Sequence, residues 1–192
     1  MNTDSVATSS SNLAMAQAEV REIYFAGSVG QAYTGVLWLV SAGLWTFVSQ
    51  SAAIVVTLAG GFLIYPVTTV VCRILGSPGA IPSTNPLRQV GVAIPIVGPL
   101  MIPLVGAAAL YDIRWFFPAF MIAIGAHYLP FAFLYGMREF WYIGGSMWAG
   151  GLVVGIWFPN LAVAGAWGTG LLLVLFSIWA ALEFRSSRRV HG

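Results

Sequence analysis

The chain has 192 residues, 59% of them hydrophobic and 7% charged, with a formal net charge of +2. Soluble domains carry about 25% charged residues, so this chain cannot cover a water-facing surface and its solvent has to be lipid. The small positive balance, with no basic stripe interleaved with aromatics, excludes nucleic acid as a partner.

All eight basic residues are arginine, so a lysine Schiff base is excluded. One cysteine, Cys72, rules out an intramolecular disulfide, and with the scattered His and acidic residues it suggests no metal site and no cofactor.

In chain order, residues 1–12 are mostly Ser, Thr, Asn and Ala, a composition that reads as a disordered tail. The opening stretch MNTDSVATSSSNLAMAQAEV lacks the basic start and apolar run of a cleavable signal peptide, so the first membrane helix is expected to direct insertion. From Leu13 a helical stripe begins, with Leu13, Ala16, Val20 and Ile23 on one side. That segment either lies in the membrane interface or prolongs the first spanning helix.

Six apolar stretches follow, at about 28–49, 52–74, 90–110, 114–137, 140–158 and 161–183, each near the roughly 20 residues that cross a bilayer. Together they predict an all-α integral membrane bundle, a single domain over 13–185 followed by a basic tail at 186–192. Connections near Gln50, Asp112, Arg138 and Pro159-Asn160 are short, which makes successive helices antiparallel neighbours. The one longer loop, GSPGAIPSTNPLRQ at 76–89, has turn composition.

Arg21, Arg73, Arg88, Arg138, Arg185, Arg188 and Arg189 fall on one side of such a bundle and only Arg114 on the other. The positive-inside rule then puts both termini in the cytoplasm, and a bacterial inner (cytoplasmic) membrane is the simplest home. Trp115, Trp141, Trp157 and Trp179 sit near segment ends as interfacial anchors, whereas Trp38 and Trp148 lie deeper and need a partner for their N–H. The glycines of the fifth and sixth stretches, such as Gly151 and Gly155, suit close helix packing within the chain or a seam between copies in a homo-oligomer.

His127 is the exceptional residue, an ionisable group inside an apolar run. Pro95, Pro99 and Pro103 recur every four residues and deprive the carbonyls of Gly91, Pro95 and Pro99 of helical donors along one stripe. Counted from a turn at Asp112, Pro99 and His127 reach similar depth, and Pro66 lies central in its own stretch. The candidate ligand-binding set is therefore His127, Tyr128, Tyr65, Thr68, Pro95 and Pro99, in the manner of broken-helix transporter sites. Two readings of His127 compete. It either serves a ligand or merely donates a ring N–H to a proline-released carbonyl. No carboxylate joins it at depth, which argues against a carboxylate-driven ion pump. Ser146 lies near the start of its helix, away from His127, so no serine-histidine pair forms.

The phrases GGFLIYPVTTVVCRILG, NPL at 85–87 and WFFPAFMIAIGAHYLPFAFLYGM resemble an uncharacterised family of bacterial multi-spanning membrane proteins, most distinctively at GAHYLPF. The resemblance runs from about Glu22 to Met137 and brings no assigned activity. It implies that Pro66, Pro118, His127, Tyr128 and Pro130 belong to the family's pattern.

The expected function is a small permease or binder of a small apolar or weakly polar molecule, held at midplane around His127 with the lipid bilayer as surroundings. The alternative is a structural or regulatory membrane protein that docks a partner on its arginine-rich cytoplasmic face. A filled, pocket-free centre would favour that alternative. An enzyme is not expected, since no acid, base and nucleophile share one depth.

Overall fold

The computed structural model describes the backbone of residues 3–191. Among them no strand occurs, and eight α-helices follow one another: α1 Thr3–Tyr24, α2 Ser28–Phe47, α3 Gln50–Ile74, α4 Arg88–Leu100, α5 Ile102–Tyr111, α6 Phe116–Tyr135, α7 Glu139–Trp157 and α8 Ala162–His191. Four helical stretches are long and apolar enough to cross a membrane: Gln50–Ile74, Arg88–Tyr111, Ile113–Tyr135 and Pro159–Ser187. Helices α2 and α7, at 20 and 19 residues, are shorter than these four, which run from 23 to 29, and are less apolar.

Helix is already present at Thr3, inside the stretch whose composition reads as a tail. The stripe expected from Leu13 is real, because Ala16, Val20 and Ile23 are buried and Leu13 packs against them. α1 does not prolong α2. A single turn of 3-10 helix, Phe25–Gly27, separates them, with φ of 51°, 53° and 80° at Phe25, Ala26 and Gly27. Left-handed backbone at two non-glycine residues costs about 1–2 kcal/mol each, so the surroundings must impose it. Gly27 is wedged there, since a Cβ would come within 3.1 Å of the Phe140 ring.

Side chains also hold α1 in place. Gln17 Nε2 donates to the Phe133 carbonyl at 2.7 Å, and Arg21 donates to that of Tyr135. Both acceptors lie in the last turn of α6, where carbonyls run short of helical donors; that of Phe133 also accepts from the Gly136 N–H at 3.3 Å. Asn85 in the 76–87 loop donates to the Ala16 carbonyl at 3.0 Å and to Glu19 at 2.7 Å. Its own Oδ1 accepts from the Leu87 N–H at 2.8 Å. The NPL segment is thus the clasp that fastens this loop to α1.

The remaining helices pair antiparallel. α6 and α7 run so close that a Cβ at Gly125 would sit 2.6 Å from the Gly144 carbonyl oxygen, and one at Gly151 would sit 2.7 Å from that of Pro118. α2 lies equally close to α8, where Gly35 meets Val174 and Gly170 meets Leu39, and it also pairs with α3, where Tyr33 donates to the Gly60 carbonyl at 3.0 Å. The glycines therefore serve packing within the chain at these seams. Aromatic stacks brace α6 at both ends: Phe116, Phe117 and Phe120 against Trp38 and Trp45, and Tyr135 against Phe140.

The third apolar stretch is not one continuous helix. It breaks at Met101, whose N–H reaches back to the Gly98 carbonyl at 3.1 Å in a tight turn. Pro99 and Pro103 flank this point. Two prolines one turn apart remove consecutive ladder bonds, so the helix re-forms with a kink.

Candidate functional site

A cavity of about 190 Å³ lies among α2, α3, α4, the start of α5 and α6, with Tyr24 of α1 at one end. All six residues singled out from the sequence line it: Tyr65 and Thr68 from α3, Pro95 and Pro99 from α4, and His127 and Tyr128 from α6. The antiparallel course of α4 and α6 brings them together, because Gly91 faces Leu134 and the register carries Pro99 toward His127.

Nδ1 of His127 is buried without a hydrogen-bond partner. Its ring stands edge-on to Phe131, with centroids 5.4 Å apart. Nδ1 therefore makes no hydrogen bond to a proline-released carbonyl. Thr68 Oγ1 is buried and unpaired as well. A buried polar atom with no partner costs about 1–3 kcal/mol, and two of them bordering one cavity mark it as polar at that point.

Tyr128 has a partner inside the protein. Its O–H donates to Gln31 Oε1 at 2.5 Å, so the phenol can offer a guest only its oxygen. Gln31 went unremarked in the sequence, although it is the one glutamine inside the apolar stretches. It is 6% exposed and lines the cavity. With its oxygen occupied, its amide N–H groups are what it can present. Tyr65 is 41% exposed and stands at the rim beside the hydroxyl of Tyr24.

The wall between α3 and α4 is thin. Gly61 and Gly98 both line the cavity, and a Cβ at either would meet nothing within 4 Å. Most of the remaining lining is apolar, Trp38, Phe120 and Phe131 among it, with the hydroxyls of Thr34 and Tyr135 as exceptions. Trp38 is buried and stacks on Phe120 at 5.6 Å, so it is both core and cavity wall. Trp148 is 46% exposed on the outer surface of α7 and forms no part of the wall. Ser146 also faces outward and donates to the Ile143 carbonyl at 2.9 Å.

Among the described residues no three His, Cys, Asp or Glu side chains gather. What the arrangement offers is apolar contact over most of its surface and a few hydrogen-bonding atoms at one level.

Length, apolarity and helical content define a membrane protein in contact with the lipid bilayer. More particularly, the chain belongs to DUF7010, a family of unknown function, whose model matches residues 13–183. That match takes in all of α2 to α7 and the clasp to α1. No curated protein matches the chain, and no solved structure does.

Proposed function

We propose that this is a six-span protein of a bacterial inner (cytoplasmic) membrane, with both termini cytoplasmic. In this reading it binds a small apolar or weakly polar molecule and, as a small permease, passes it across the bilayer. For the span count, α2 supports the reading through its hydroxyls, which lipid could not satisfy. Thr34, Ser41 and Thr46 each donate to the carbonyl four residues back, at 2.7–2.8 Å, so a less apolar helix still meets the demands of hydrocarbon. Helices of 19 and 20 residues also reach about 30 Å, the thickness of the core.

The observation that carries the ligand reading is the cavity with His127 Nδ1 and Thr68 Oγ1 unpaired at its edge. His127 and Thr68 would hydrogen-bond the polar part of the guest, Gln31 and Tyr65 would add donors, and Pro95 and Pro99 would supply a rigid apolar wall. A pocket-free centre would favour a structural or partner-docking role, and the cavity supports the ligand reading instead.

Native mass spectrometry of gently purified protein, beside His127→Leu, tests the reading. The expected result is a small molecule retained by the wild type and absent from the variant. Identical spectra carrying only bulk lipid, with both proteins folded, would remove the ligand site.

A further inference from the structure

A second, smaller pocket of about 80 Å³ adjoins the first and shares Tyr24, Tyr65 and Gly91 with it. Its distinctive residue is Arg88, at the first turn of α4. Given the ligand cavity proposed above, we infer that the guest is a single-chain amphiphile with an anionic head. Arg88 holds its carboxylate or phosphate, and its chain runs along α4 into the cavity, where a weakly polar group on the chain meets His127 Nδ1 and Thr68 Oγ1.

Three independent observations lead there. The first is that Arg88 is uncommitted. Arg21 donates to the Tyr135 carbonyl and Arg73 to that of Pro78, and Arg114 pairs with Asp112. The exposed guanidinium of Arg88 has no ion pair or hydrogen bond among the described residues, a state it shares with Arg138 and Arg185, and of the three it alone lines this pocket. Glu19, the acidic side chain tied to this loop, accepts from Asn85 and forms no ion pair with Arg88. Guanidinium suits carboxylate and phosphate alike, through paired N–H donors.

The second observation is length. From Arg88 to Pro99 along α4 is about 16 Å at 1.5 Å per residue, close to half of a roughly 30 Å hydrocarbon core. One charged end and an apolar channel one leaflet deep have the dimensions of a single acyl chain with its head at the surface. The third is access. Gly61 and Gly98 leave two gaps without side chains in α3 and α4, and both helices turn mostly outward, with 11% of each apolar window buried. A tail can pass sideways between them from the bilayer while its head stays at the interface.

The test is equilibrium binding of a radiolabelled long-chain hydroxycarboxylate to full-length protein in nanodiscs of zwitterionic lipid. Competitors are its methyl ester, a long-chain alkyl phosphate and inorganic phosphate. Proteins are the wild type, Arg88→Gln, Arg88→Lys and Gly98→Leu.

The wild type should bind the carboxylate roughly tenfold tighter than the ester, the size expected of a charge-assisted hydrogen bond. The alkyl phosphate should compete and inorganic phosphate should not. Arg88→Gln should abolish the preference while leaving ester binding unchanged, and Arg88→Lys should keep most of it. Gly98→Leu, which fills the tail channel, should weaken carboxylate and ester together. Equal binding of ester and carboxylate, both still blocked by Gly98→Leu, would overturn the anionic head and leave the cavity standing. Displacement by inorganic phosphate would make the occupant a free anion and overturn the amphiphile. Binding of every probe that ignores Gly98→Leu would overturn the cavity reading as well.

Discussion

Glycine lines both the α6–α7 seam and the α3–α4 seam, with opposite consequences. Between α6 and α7, Gly125, Gly144 and Gly151 each oppose a backbone carbonyl across the seam so closely that only hydrogen fits. Between α3 and α4, Gly61 and Gly98 oppose empty space. Half of the Ile113–Tyr135 window is buried, against 11% of the Gln50–Ile74 and Arg88–Tyr111 windows. The same residue locks one pair of helices and leaves a doorway in the other. The molecule thus combines a rigid scaffold, α2 with α8 and α6 with α7, with a permissive wall of α3, α4 and α5.

The sharpest way to break this contrast is substitution at the glycines themselves. Gly125→Leu or Gly151→Leu should destabilise by roughly 3 kcal/mol, at the upper end for overpacking against backbone. Gly61→Ala and Gly98→Ala should stay within about 0.5 kcal/mol of wild type. Thermal unfolding in detergent, with α3–α4 variants as unstable as the α6–α7 ones, would erase the distinction.

Next in size is Asn85→Ala, which removes the clasp between loop and α1. It should cost about 2 kcal/mol, because the Leu87 N–H and the Ala16 carbonyl lose buried partners. Protease cutting in the 76–87 loop should accelerate, and an unchanged rate would show that the loop is held by other contacts.

His127→Leu makes a smaller and opposite prediction for stability. The unpaired Nδ1 disappears, so stability should stay level or rise by up to about 1 kcal/mol while ligand retention is lost. A large loss of stability instead would mean that the imidazole is a structural hydrogen-bonding group.

The smallest effect belongs to the turn opposite the arginine-rich end. Hydrogen bonds from the Arg114 side chain and backbone hold the Asp112 carboxyl below its ordinary value, with Nη2 to Oδ2 at 2.6 Å. A lowered folded-state value means a contribution that is present above the unfolded carboxylate value of about 3.9 and lost as pH falls through the lower, folded one. Arg114 is exposed and Asp112 partly so, and water screens the pair, so Asp112→Asn should leave stability nearly unchanged at neutral pH and slightly flatten its decline below about pH 4. A marked loss at neutral pH would show that this turn organises the helices it joins.

How much of this was legible follows the physics of each signal. Apolar runs bounded by short polar turns announce helices, and the match in depth between Pro99 and His127 followed from counting along antiparallel neighbours. The break at Met101 was not legible, since prolines four apart keep a single face and do not say which turn gives way. Nor was the separation of α1 from α2, because the left-handed turn falls on Phe25 and Ala26, which carry no turn signature, and only Gly27 marks it. Gln31 escaped because a polar residue near the start of an apolar stretch looks interfacial until its partner, Tyr128, is seen. Arg88 counted only as one of many interfacial charges, and what sets it apart, its place in the lining of the second pocket, needs the fold to be seen.

The most direct test of the central claim is a crystal structure grown from a lipid phase. Continuous non-protein density between α3 and α4, within hydrogen-bonding reach of His127 Nδ1 and Thr68 Oγ1, is the predicted result. A closed α3–α4 seam, with side chains filling the centre and His127 bonded to a backbone carbonyl, would contradict it.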